Sequence, residues 1–300
     1  MTELSVILCA HNPPMAFLER VMGSLREQTL PVSEWEFIAV DNASEQPLEA
    51  RLNIGWHPLG RVVVENELGL AQAKLRGMRE ARSESLLFVD DDTPLHKDYL
   101  ERALEIGRAW PKLGAWSGSI TAEFETTPPA WSKPYLHYLA LREVSRDTWS
   151  NQTDRPGLMP WGAGTCIRRE VAMEYARRVA ADPVRRGLGR RGKSLGACED
   201  SDLAITACEM GFGTGLFQSL RLKHIIPAWR LEEDYLVALA EGMSRSLALL
   251  QASRGARPRR SSWPRRIWGH VSALRRGARE FRFYRASDRG VKMALREISV

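Results

Sequence analysis

The sequence predicts an α/β protein: a mostly parallel central sheet flanked by helices, followed by a C-terminal helical extension. Three observations predict it. Short apolar runs alternate with stretches of helical period from residue 4 to about residue 115. Three of those runs end in polar or acidic groups. Residues 251–300 hold 14 Lys/Arg against 3 Asp/Glu, a net of +11, while the first 250 residues are net −5. A mildly acidic body and a strongly basic tail suggest two different jobs.

The first run, LSVILCA (4–10), reads as a strand buried on both faces. HNPP breaks it, and Phe17, Leu18, Val21, Met22 and Leu25 then share one helix face. EFIAV is a second strand ending at Asp41, and RVVVE (61–65) a third. A helix over about 69–82 carries Leu70, Ala73, Met78 and Ala81. The fourth strand, 85–89, runs into Asp90, Asp91 and Asp92. Ligands of such sheets bind beyond the carboxyl ends of the strands. Here those ends carry His11 and Asn12, then Asp41 and Asn42, then the three aspartates.

Past residue 115 the pattern changes. WSGSITAEFE alternates as a strand, and 126–160, rich in Pro and Trp, reads as an irregular excursion. GAGTCIRREVAMEYARRV reads as a Gly-rich turn, a short strand and a helix. DPVRRGLGRRGKSLGA reads as a basic, mobile loop. A helix starts near Glu199 and stops at Gly211–Gly213; TGLFQSL and LKHII are two strands, and RLEEDYLVALAEGMSRSLALL is a helix. In the tail, Trp263, Ile267, Val271, Leu274, Ala278 and Phe281 recur every three or four residues beside Trp268. Arg265, Arg266, Arg275, Arg276 and Arg279 take the other faces, which makes a basic amphipathic helix.

No apolar run approaches the roughly 18 residues that span a bilayer. The opening MTELSVILCAHN lacks a charged lead and cleavage site, so a cytoplasmic protein is expected. Cys9, Cys166, Cys198 and Cys208 show no C-x-x-C spacing and read as reduced. No G-x-G-x-x-G follows the first strand, which disfavours a dinucleotide-dependent dehydrogenase.

Three like charges in a row repel unless something neutralises them. A hard divalent cation would do so through oxygen ligands. In extended chain, residues i and i+2 point the same way, so Asp90 and Asp92 can face one ligand while Asp91 points elsewhere. A solvated acidic turn ahead of Pro94 is the plainer reading of the triplet taken alone. Glu199, Asp200 and Asp202 gather at a helix start, as dipole complements or with one carboxylate as general base. His224 lies just before a Pro-containing turn, as a structural histidine or a ligand. Arg230 either clamps a phosphate or pairs with Glu232 or Glu233.

In order, SVILCAHN, IAVDNAS, ENELGLAQAKLRGMREAR, LLFVDDDTP, WGAGTCIRRE, GACEDSDL and KHIIPAWR resemble the family-2 glycosyltransferases over about residues 4–235. The resemblance implies an inverting enzyme of GT-A (Rossmann-like) fold. It implies a nucleotide-sugar donor, commonly UDP-linked, with Mn²⁺ or Mg²⁺. It places a nucleotide-binding half at 1–115, an acceptor half at 116–235 and a helical extension at 236–300. Ala10, His11, Asn12 and Asp41 would hold the nucleotide base, with Lys74 or Arg76 approaching the nucleotide. Asp90 and Asp92 would form the DxD motif, with Asp91 beside them on the donor side and Arg230 on the phosphates. Asp92, Asp90 and His224 would hold the metal. Asp200, paired with Glu199, would be the base. Trp161, Gly162, Ala163 and Gly164 would shape the sugar and acceptor pocket. DNAS stands where an acidic pair and Gly-Ser are commoner, and KLR where ARN is usual; both bear on which nucleotide is taken.

The expected partners are a nucleotide sugar, a glycan or lipid-linked acceptor, and an anionic membrane surface met through residues 255–300; a tail helix packed on the body is the alternative. Nucleic acid ranks lower, since no base-reading motif is present. A nucleotidyltransferase would show a Gly-rich basic loop where this chain has AHNPP, and a binding protein on this fold could dispense with the carboxylates this chain keeps.

Overall fold

The computed structural model describes residues 2–256, 258 and 263–298, without the side chains of 263–266. β1 (Leu4–Ala10) is buried at every position and pairs in parallel with β2 (Trp35–Asn42) and β4 (Ser85–Asp90). β2 pairs in parallel with β3 (Gly60–Glu65). The connections run through α1 (Met15–Arg26), the short α2 (Leu48–Arg51) and α3 (Leu70–Glu80). α4 (Tyr99–Ala109) leads from β4 to β5 (Leu113–Phe124).

Next come a 3₁₀ segment (Ala130–Leu139), β6 (Thr148–Ser150), β7 (Cys166–Arg168), α5 (Arg169–Ala181), the short α6 (Pro183–Arg186), α7 (Glu199–Glu209) and β8 (Gly213–Ile226). The eight strands form one sheet in the order β3-β2-β1-β4-β7-β5-β8-β6. β7 runs antiparallel to both β4 and β5, whereas β5 and β8 are parallel. This is the α/β GT-A architecture that the sequence predicts.

Side chains alternate across the sheet, so β1 feeds two cores. Leu4, Val6 and Leu8 pack with Leu18, Val21 and Leu25 of α1 and with Leu100 and Leu104 of α4. Ile7 and Cys9 pack with Ala73 and Met78 of α3, Val171 of α5 and Leu203 of α7. β1, buried at all of its positions, therefore has no solvent-facing side, as its near-continuous apolar run requires.

Two expectations change. TGLFQSL and LKHII form one strand of 14 residues, β8, with a register shift against β5 between Gly118 and Ser119. There the backbone closes so tightly that a Cβ on Gly118 would strike the Leu220 carbonyl. The polar QS within the run marks this bulge rather than a strand end.

The tail is two helices, not one. Gly277 (φ +121°) separates α9 (Trp263–Arg276) from α10 (Ala278–Ile298). α10 packs along α8 (Glu233–Ser253) through Phe283, Ala286, Gly290 and Ala294, a stripe different from the expected one. At Gly290 the helices approach so closely that a Cβ would strike the Glu241 carbonyl. Phe283 also stacks on Tyr135 at 3.7 Å. Burying such a side chain contributes about 1.5–3 kcal/mol. Arg279 and Arg282 pair with Glu233, and Arg289 with Glu241. The basic charge of α10 is thus partly spent on the body. On α9 the expected stripe stays exposed at Ile267, Trp268, Val271 and Leu274. The side chains of Trp263, Arg265 and Arg266 lie outside the described residues. Among the described residues, no helix is long and apolar enough to cross a membrane.

Candidate active site

The aspartate turn follows directly from β4. Thr93 Oγ1 both accepts from Asp90 N–H and donates to the Asp90 carbonyl, at 3.1 Å each. Beyond it the chain runs beside β8. Ile225 N–H donates to the Asp92 carbonyl (2.9 Å) and Lys223 N–H to that of Pro94 (3.0 Å). These backbone bonds bring His224 to Asp92 across 132 residues of sequence.

His224 Nδ1 lies 3.0 Å from the Leu139 carbonyl, which can only accept, so Nδ1 carries the proton. Its Nε2 lone pair then accepts from Arg230 Nη1 at 2.9 Å. The same Nη1 pairs with Asp92 Oδ2 at 2.8 Å, while His224 Nε2 stands 3.4 Å from that oxygen. Burial alone would raise the Asp92 carboxyl, but the charges of Arg230 and Arg190 oppose it and favour the ionised form. Burial raises Asp90, with the negative charges of Asp92 and Asp200 adding to it. Burial and its two aspartate neighbours push Asp91 up to about 8.

α7 supplies the second group of carboxylates. Glu199 and Asp200 face the aspartates through one cation. Lys74 Nζ, 3 % exposed, donates to Glu199 Oε1 (3.1 Å) and Asp200 Oδ1 (2.5 Å). Burial alone would strip the proton from Lys74, but Asp200, Glu199 and Asp90 keep it well above the ordinary lysine range. The other Asp200 oxygen accepts from Gly162 N–H at 2.8 Å. Asp200 keeps 18 % side-chain exposure against 7 % for Glu199, which makes it the more accessible of the two carboxylates. Asp202, two residues on, points away and pairs with Arg185 and Arg254. The acidic cluster thus divides between the site and a structural network.

The turn at 161–164 joins these parts. Gly164 N–H donates to the Phe88 carbonyl (2.7 Å), which stitches the turn to β4. Gly164 has φ +74°, and a Cβ there would strike the Tyr99 hydroxyl, which donates to the Gly164 carbonyl at 2.7 Å. Ala163 is buried in the core. Trp161 stacks on the Arg142 guanidinium at 3.5 Å. Burial pushes Arg142 down to about 10.

At the end of β2, buried Asp41 accepts from Ser44 N–H (3.1 Å) and Leu48 N–H (2.9 Å) and thereby shapes the loop that follows. Asn12, in the left-handed region (φ +46°), accepts from Glu45 N–H at 2.8 Å. Its neighbour His11 lies 2.8 Å from the Asn42 carbonyl. Ala10 is buried at the end of β1. Arg76 is held away from the aspartates by Glu80 (2.9 Å) and the Val64 carbonyl (2.8 Å).

A divalent cation suits this donor set. Among the described residues, Lys74, Arg230 and the nearby Arg190 are the full cations that act on Asp90, Asp91, Asp92, Glu199 and Asp200. The Nε2 lone pair of His224, which accepts from Arg230, is oriented by the Nδ1–H bond, as second-shell bonds orient metal ligands. Among the described residues, no three such groups already stand at ligand spacing. Arg230 occupies the place between Asp92 and His224.

A model described as glycosyl transferase family 2 matches residues 5–175. The chain belongs to glycosyl transferase family 2. The crystal structure of S. aureus TarS 1–349 shares its fold at 13% identity and a TM-score of 0.50, covering 98% of this chain and 83% of that one. The same protein in complex with UDP-GlcNAc matches at 14% identity and a TM-score of 0.51, covering 82% and 67%. At such identities the likeness shows the fold alone.

Two features of this glycosyltransferase site escape the sequence reading. Lys74 ties the carboxylate pair together as well as lying in the segment expected near the nucleotide. Its signal is a lysine on the same helix face as Ala71, Leu75 and Met78, where a buried charge must find a partner. Arg142 has no comparable signal, because its stacking partner lies in an aperiodic segment.

Lys74→Met should cost about 3–5 kcal/mol, since it leaves buried carboxylates without their cation. The stranded carboxyls gain raised folded-state pKa values. Stability from such groups is present at low pH and is lost as pH rises through the folded pKa. Chemical denaturation should therefore show a deficit that is smallest near about pH 5 and grows toward about pH 8. A deficit independent of pH contradicts this role.

Proposed function

We propose that the protein moves a sugar from a nucleoside diphosphate sugar, UDP-linked, to a hydroxyl of a glycan or lipid-linked glycan by single displacement with inversion. One observation carries this reading. Asp90 and Asp92, the Glu199–Asp200 pair and His224, from three distant stretches, meet at the carboxyl edge of one sheet. That one structural neighbour is bound to UDP-GlcNAc supports the choice of donor.

Asp200 accepts the proton of the acceptor hydroxyl, held in orientation by Lys74 and the Gly162 N–H. Glu199 is the more buried member and holds Lys74 in place. Asp92, Asp90 and His224 Nε2 would hold Mn²⁺ or Mg²⁺. Such an ion, when bound, neutralises charge on the departing diphosphate. Arg230 is long enough to leave Asp92 for a phosphate, and its buried Nε has no partner. Asp41, Asn12 and His11 shape the loops expected to take the base. Trp161 to Gly164 form the wall beside Asp200.

A panel of UDP-, GDP- and dTDP-sugars with Mn²⁺ should show binding and slow hydrolysis of the UDP-linked members. Asp92→Ala should remove metal-dependent donor binding. Asp200→Asn should bind donor normally and lose turnover by at least about 100-fold. Binding of none of the panel, or normal turnover by Asp200→Asn, contradicts the reading.

We also propose that α9 docks on an anionic membrane bearing a lipid-linked acceptor. Exposed Ile267, Trp268, Val271 and Leu274 lie on one short helix with Arg275 and Arg276, which suits headgroup phosphates above an apolar interface. Sedimentation with anionic vesicles should fall when Trp268 and Leu274 are both changed to Ser; unchanged sedimentation rules this face out.

A further inference from the structure

The segment 187–197 is the basic, glycine-rich stretch that the sequence marks as mobile, and no function above uses it. In the fold it is fastened at four points. Arg190 accepts at its carbonyl from Leu70 N–H (2.9 Å), at the start of α3. Gly189 N–H donates to the Ala197 carbonyl (3.2 Å), which closes the loop on itself. Ala197 N–H donates to Ser246 Oγ of α8 at 2.9 Å. A Cβ on Gly242 would strike the Leu195 carbonyl, so the loop lies directly on the α8 backbone. Both Gly189 (φ +85°) and Gly192 (φ +54°) take left-handed conformations that favour glycine.

This fastening sets Arg190 beside the site. The neighbouring Gly189 is packed against the Glu199 carboxylate, 3.3 Å from the position a Cβ would take. The Arg190 side chain reaches solvent and feels the charges of Asp92, Asp90 and Glu199, which help hold its guanidinium above the ordinary arginine value despite its crowding. Among the described residues that guanidinium takes no hydrogen bond or ion pair. Tyr235 stands close to it with a buried hydroxyl that has no partner. Arg230 Nε, whose Nη1 pairs with Asp92, is also buried without one. Unpaired donors gathered above an acidic cluster are the pattern of a site completed by an anion.

We propose that Arg190 is a donor-binding residue that closes on the diphosphate of the nucleotide sugar from the side opposite Asp90 and Asp92, with Tyr235 and Arg230 as neighbouring donors. The inference rests on the donor reading above and adds a specific group to it. A planar guanidinium matches two phosphate oxygens at once, whereas a lysine contributes a point charge.

The test uses the full chain with Mn²⁺, titrated with UDP, UMP and uridine. Arg190→Gln should weaken UDP binding roughly 10- to 100-fold, the range of one charge-assisted contact. The loss for UMP should be smaller, and uridine should bind unchanged. Arg190→Lys should recover part of the UDP affinity. Arg186→Gln, a change to an exposed arginine just before the loop, should behave as wild type. Wild-type UDP affinity in Arg190→Gln, or equal losses for UDP and uridine, overturns the proposal; the second result would mark a purely structural role. A wild-type protein that binds no UDP at all refutes the donor reading itself, and this inference with it.

Discussion

One buried ammonium group sets the terms for the rest of the site. Lys74 Nζ lies between Glu199 and Asp200 and close enough to Asp90 to feel its charge. It therefore links α3 and α7 and faces the end of β4. Without it, two adjacent buried carboxylates would compete for a proton, and α7 would lose its ionic tie to α3. Even with it the site is short of positive charge. Asp90, Asp91 and Glu199 are all pushed toward the neutral form by burial and by one another. Under the proposed function, a bound divalent cation would relieve this crowding of carboxylates.

How legible this was depended on the length scale. The first four strands could be read from apolar runs because a parallel sheet covered on both faces leaves no polar alternation. Asp90, Asp92 and Asp200 could be picked out because charge at a strand or helix end is visible locally. What joins them was not visible. The Lys74 pairing spans more than 120 residues, and the His224–Asp92 approach depends on backbone bonds between β8 and the turn after β4. β8 was read as two strands because a bulge looks like a break in the pattern. The tail was read as one helix because the period continues through Gly277, whose backbone conformation ends α9.

The C-terminal extension also has a reason to be where it is. α10 rests on α8, and α8 carries Ser246 and Gly242, the two points that seat the loop of Arg190. Arg254, at the end of α8, reaches back to Asp202 of α7, the helix that bears Asp200. The extension thus braces both sides of the cleft, while α9 leaves an apolar and basic face outward.

Geometry at Asp200 is the centre of the account. One oxygen is held by Lys74 and the other by a backbone N–H, and Asp200 is more exposed than Glu199. The proposed base, placed so, suits direct displacement at the anomeric carbon. The measurement that bears on this most directly is proton NMR of the sugar released or transferred from an α-linked UDP-sugar, followed from the first turnovers before mutarotation. The account predicts that the first product formed is the β-anomer. An α-anomer at the earliest times would contradict it.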